Sequence, residues 1–128
     1  MKYYTLNIGG ASFNVVPIMY TYKPVIVAED NIVDNVLAVE LVTTTGETVD
    51  IITVNIPDAF AVIDFPKNAS FIDTNNCPWA IDFIIKNNLG TITDWTWPSG
   101  FCTYPMCFFD TDKLIPYQPT IYDMGVKE

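Results

Sequence analysis

The chain has 128 residues, half of them apolar, and sets 15 Asp and Glu against 6 Lys, with no Arg or His, for a formal charge of −9. A chain of this length buries about two-thirds of its unfolded surface around one core, so a single domain over residues 1–128 is expected without disulfide or metal staples. Its 16% charged and 14% aromatic content excludes intrinsic disorder, and the missing Arg removes the main source of phosphate affinity, so no direct nucleic-acid binding is expected.

Localisation follows from what is missing. No run approaches the roughly 18 apolar residues that span a bilayer. Residues 1–7 open as an alternating strand, not as a basic and then apolar leader. A cytoplasmic protein without membrane contact is the expectation. Cys77, Cys102 and Cys107 are an odd number, which points to reduced thiols. The Asn68-Ala69-Ser70 sequon carries no assigned function.

Tyr4–Ile8 and Ser12–Tyr20 are rich in β-branched and aromatic residues and flank Gly9-Gly10, a pair that tolerates the positive φ of tight turns. They predict a first hairpin. Val36–Val42 alternates, and Thr44–Glu47 offers a turn before a partner strand over Thr48–Ile56. The apolar phase of that partner slips at Ile51-Ile52, which a β-bulge accommodates. Ser70–Asp73 reads as a short strand, with Pro57 and Pro66 limiting ladder pairing before it.

One helix is predicted over 77–88. Asn75 and Asn76 are cap-forming residues, Pro78 suits the first turn, Ala80, Ile81, Ile84 and Ile85 recur at helical spacing, and Gly90 supplies a stop. Trp97–Gly100 reads as a turn, Phe101–Phe109 as a strand perturbed by Pro105, and the last dozen residues as irregular because of Pro116 and Pro119. Hairpins without βαβ alternation imply an α+β fold, an antiparallel β-sheet of about five to seven strands with the 77–88 helix packed on one face.

The run Phe71–Ala80 with its Asp73-Thr74-Asn75-Asn76-Cys77-Pro78-Trp79 centre, then Asn87-Asn88-Leu89-Gly90, then Ser99–Pro105, resembles an uncharacterised domain-of-unknown-function family of gut bacteria and their phages and mobile elements. The resemblance spans about residues 36–110. It implies an accessory gene of a mobile element, and it brings no reaction, cofactor or catalytic residue. The Thr91–Trp97 segment is more aromatic than the pattern.

Catalytic equipment is thin. Without His no side chain has an unperturbed pKa near neutrality, so a nucleophile would need an unusual base. Cys77 is the candidate, as a thiol at a helix N-terminus, against the plainer role of a small residue beside Pro78. Cys102 and Cys107 lie five apart on a strand and face opposite sides, which with no His argues against zinc. Asp110-Thr111-Asp112 and Asp73-Thr74-Asn75 lack the glycine and distal glutamate of a calcium loop. No glycine-rich phosphate loop occurs. No catalytic residue, metal or cofactor is therefore assigned.

Charge and aromatics point to binding instead. Between Pro24 and Pro66 stand eight acids, among them Glu40, Glu47 and Asp50, and no basic residue. Such a surface steers onto a basic partner, or mimics phosphate spacing along a hairpin. Trp95 and Trp97 crowd what reads as a loop and so as a surface. The expectation is a non-enzymatic binding protein that modulates a host defence protein with a basic surface through Glu40, Glu47, Asp50, Trp95 and Trp97. The alternative is a module that sequesters a signalling nucleotide, with the aromatics as a stacking platform. Part of the apolar surface is also suited to a homo-oligomer interface.

Overall fold

The structure, a computed structural model, describes residues 2–117. Gly9 and Gly10 take φ of +55° and +84°, the mirror-image turn geometry that matches strand twist. They join β1 (Tyr4–Ile8) to β2 (Ala11–Thr21) as the expected hairpin. β2 pairs antiparallel with β5 (Leu37–Thr43), which pairs with β6 (Thr48–Ile51), and β11 (Ile115–Pro116) adds to β2 in parallel. Pro116 thus sits in a short strand rather than in irregular chain; Pro119 lies outside the described residues.

The expectation of one sheet needs correcting. A second sheet has the order β7 (Thr53–Val54), β8 (Ala69–Ile72), β10 (Cys102–Phe109), β9 (Gly90–Ser99), and β3 (Val25–Val27) with β4 (Asn31–Val33) forms a separate hairpin. The phase slip at Ile51-Ile52 is the cause. It marks no bulge; there the strand leaves the first sheet and enters the second. The bulge itself lies one turn earlier, where Leu41 faces Asp50 but Val42 faces Thr48, leaving Val49 as the extra residue.

Polar groups hold the crossing together. Ile52 N–H donates to Val39 O at 3.0 Å, Thr53 Oγ1 accepts from Val39 N–H at 3.1 Å, and Ser70 Oγ donates to Leu37 O at 2.7 Å. A buried hydroxyl without a partner costs about 1–3 kcal/mol, and here both Thr53 and Ser70 have one.

Two helices occur among the described residues, not one. α1 (Pro57–Val62) is not signalled as a helix because its one proline looks like a strand breaker; Pro57 in fact opens it, where a missing N–H costs nothing. α2 (Ala80–Lys86) is shorter than 77–88 because the preceding residues form a turn around Asp73. The Asp73 carboxylate accepts from Asn76 N–H at 3.1 Å and Asn76 Nδ2 at 2.8 Å, so aspartate organises this turn and neither Asn caps α2. The left-handed residue after α2 is Asn88, at φ +54°, with Leu89 N–H returning to Ile84 O. Gly90 is needed for another reason: a Cβ there would stand 2.8 Å from Phe108 O and 2.9 Å from Cys107 Sγ.

β8 is buried on both faces. Ile72 joins Tyr4, Leu41, Phe83, Cys107 and Phe109 in a core between the first sheet, α2 and the second sheet. Phe71 joins Ile56, Ala59, Tyr104 and Met106 in a second core covered by α1. The α+β class holds in this broader sense. No helix among the described residues is long and apolar enough to cross a membrane.

Candidate functional site

Strand alternation separates the expected acids. Glu40 faces Ile51 and Asp50 faces Leu41 in the β5–β6 ladder, so the two carboxylates project from opposite faces of the sheet. Leu41 is core, and Asp50 on its face stands beside Cys77. Glu47 is exposed in the β5–β6 turn, where its N–H donates to Thr43 Oγ1. These three acids form no single patch and no phosphate-like row.

Glu40 is set in a cavity of about 450 Å³ on the outer face of the first sheet, with Ile18, Tyr20, Val42, Gly46, Thr48 and Tyr117 around it. Tyr20 Oη donates to one carboxylate oxygen at 3.0 Å and Thr48 Oγ1 to the other at 2.6 Å. Burial, then the Glu40 carboxylate, drive the Tyr20 pKa well above the ordinary phenol value, so the hydroxyl remains a donor. Among the described residues no Lys lies within ion-pair distance of Glu40; the one such pair is Lys113 with Asp110.

Trp95 and Trp97 lie in a strand, not in a loop: β9 runs to Ser99, and the turn is Gly100-Phe101, with Gly100 at φ +61°. Two residues apart, the indoles share one face of β9. Trp97 packs into the Phe71 core opposite Tyr104, whereas Trp95 stays 46% exposed with its ring edge-on to Phe65 at 5.5 Å. β9 is also the outer strand of its sheet.

Phe65 connects Trp95 to a surface that the sequence reading did not find. With Phe60, Ile63 and Pro66 it lines a groove of about 260 Å³ against Ile32 of β4. Ile32 pairs across the hairpin with Ile26, and these two apolar side chains are 58% and 73% exposed. Asp34, Asp64 and Lys67 line the same groove, while Glu29 and Asp30 sit at the hairpin tip, Asp58 on α1 and Asp94 beside Trp95, all exposed. The turn Ala28-Glu29-Asp30 takes positive φ at all three residues without a glycine. That is why the flanking Val25-Ile26-Val27 run did not read as a hairpin, although Asp30-Asn31 was an available turn signal.

Cys77 is fully buried, three residues ahead of α2, with its thiol 3.6 Å from Ile51 O. Burial, followed by Asp50, pushes it up to about 12, and burial does the same to Cys107. A nucleophilic thiol needs the opposite shift. All three cysteines are free, and among the described residues no three of His, Cys, Asp or Glu gather in a geometry that could hold a metal.

No curated protein and no solved structure matches the chain. A family model matches residues 28–128 and so takes in the Asp73–Trp79 and Ser99–Pro105 motifs, β4, Glu40 and Trp95, but neither β3 nor the Ile18 and Tyr20 walls of the Glu40 cavity. The chain belongs to the family described as Domain of unknown function (DUF4313).

Proposed function

We propose that this chain is a non-enzymatic protein-binding module whose contact surface is an acid-rimmed apolar strip of Ile26, Ile32, Phe65 and Trp95, with Ile32 and Phe65 lining the groove at its centre. The observation that carries the reading is the exposed Ile26–Ile32 pair, continued through Phe65 to Trp95. Isolated surface leucines and isoleucines are ordinary, but a contiguous apolar strip with an aromatic anchor and a charged rim is the composition of an interface centre. Trp97 supports the strip from within the core; Trp95 is the contact. Electrostatic steering belongs to Glu29, Asp30, Asp34 and Asp64 around the groove rather than to Glu40 and Asp50. The partner is a protein that presents an apolar side chain flanked by Lys or Arg. The mobile-element origin implied by the Phe71–Ala80 motif makes a host protein, such as a defence component, the class to examine.

The test is a comparison of captured partners. Wild-type chain, Ile32→Asp and Trp95→Ala serve as baits in host lysate, and the captured protein is then purified and titrated against each. The expected result is a partner whose binding drops by about tenfold or more in both variants and weakens with salt. A partner bound equally by all three sinks this surface. A captured partner without a basic face sinks the electrostatic half.

The signalling-nucleotide alternative finds a cavity of suitable volume at Glu40 but the wrong sign of charge, because a phosphate there would meet a carboxylate that no Lys pairs among the described residues.

A further inference from the structure

The Glu40 cavity is independent of the groove and reads differently. We infer that it is a binding site for a compact organic cation, an ammonium or guanidinium head on a short apolar stem. The cavity's volume of about 450 Å³ is in the usual range of small-molecule sites, about 300–1,000 Å³. Its walls divide by chemistry. Val42 and Ile18 are apolar, Tyr20 and Tyr117 meet at 62° with ring centroids 6.2 Å apart, and a single carboxylate stands among them.

That carboxylate is prepared rather than neutralised. Tyr20 and Thr48 each donate to a different oxygen and hold it in one orientation. A carboxylate has about four lone-pair sites, so two donors leave capacity on both oxygens. The two hydroxyls bring no charge to this carboxylate, and no Lys approaches within 4.0 Å among the described residues. The Tyr20 ring at the cavity wall is suited to a cation. A guanidinium would also use the remaining acceptors in its planar fork.

Free amines and the Arg or Lys side chain of another protein share this chemistry, and the test separates them. Isotope-labelled full-length chain is titrated with agmatine, with an N-acetyl-arginine amide peptide, with 1-pentanol as a neutral stem, and with AMP. Saturable shifts at the Glu40, Gly46 and Thr48 amides with agmatine assign a free cation. Shifts with the peptide alone assign a protein side chain. Either result supports the site, and Glu40→Gln is then expected to weaken binding by about tenfold or more with its far-UV spectrum unchanged. Because the wild-type titration needs no variant, a misfolded Glu40→Gln leaves the test intact, and Thr48→Ala supplies a milder second variant. No saturable shift at about 10 mM of either cation, or equal binding of 1-pentanol or AMP, overturns the inference.

Discussion

Glu40 and Asp50 occupy successive rungs of one ladder and face opposite sides of the sheet, Glu40 toward the Tyr20 cavity and Asp50 toward Cys77. Two carboxylates close in sequence therefore do unrelated things. Asp50 adds to the burial that raises the Cys77 thiol to about 12. Asp50→Asn is expected to move the onset of Cys77 alkylation to lower pH, with Glu40→Gln leaving it in place. A pH profile of iodoacetamide labelling at Cys77, read by mass spectrometry, checks this; identical profiles in the two variants would remove Asp50 from the account.

The same thiols predict alkaline lability. Cys77 and Cys107 rise from an ordinary 9.0 to about 12 in the folded chain. Above pH 9 the unfolded chain gives up these protons while the folded chain keeps them, so stability is intact below that value and declines from there toward pH 12. Burial raises Tyr20 and Tyr22 as well, which adds in the same direction. Urea midpoints are expected to fall between about pH 8 and about pH 11, and Cys107→Ala, although weaker throughout, to fall less steeply. Parallel declines would show that Cys107 does not hold its proton.

Gly90 and Gly100 separate space from conformation. At Gly90 φ is unremarkable and the Cβ position is occupied by Phe108 O and Cys107 Sγ; at Gly100 the space is open and φ is +61°. Gly90→Ala is expected to cost about 1–3 kcal/mol as overpacking against backbone, and Gly100→Ala about 1–2 kcal/mol as left-handed strain. Urea unfolding measures both. A larger cost at Gly100 would mean that β9 and β10 shift apart at little expense.

Legibility followed the range of the determining contact. The β1–β2 hairpin was readable because Gly9-Gly10 states its turn locally, and β10 as a strand, although Pro105 itself pairs with Thr96 and the residues that break the register after it are the extra ones of β9 between Ile92 and Thr96. The strand at Thr48–Ile56 was readable as extended, but its division between two sheets depends on Phe71 and Ile72 of β8, with which Val54 and Thr53 pair, a pairing that no local signal announces. Trp95 and Trp97 were legible as binding candidates and not as strand residues, since aromatic crowding says nothing about pairing. The Ile26–Ile32 pair was missed because its turn uses Ala28 and Glu29 at positive φ, against their preference. Glu40 was singled out for its charge, whereas its distinction is the pair of hydroxyls that hold it.

The crossing of the two sheets can be tested through one hydroxyl. Thr53 Oγ1 accepts from Val39 N–H at 3.1 Å and bonds Tyr22 Oη at 2.7 Å, with Thr53 itself buried. Thr53→Val keeps the shape and strips both partners, leaving a buried N–H and a largely buried phenol unpaired, at an expected cost of about 1–3 kcal/mol. Tyr22→Phe removes only the phenol bond and leaves Thr53 serving Val39, so about 0.5–1.5 kcal/mol is expected. Because the two variants share that bond, the double variant should lose less than their sum, by about 0.5 kcal/mol or more. Urea unfolding of the four proteins closes the cycle. Strict additivity would mean that the Tyr22–Thr53 bond contributes nothing, and that the bonds of Thr53 and Ile52 to Val39, of Ser70 to Leu37 and of Asp73 to Ile52 secure the passage of the chain from one sheet to the other without it.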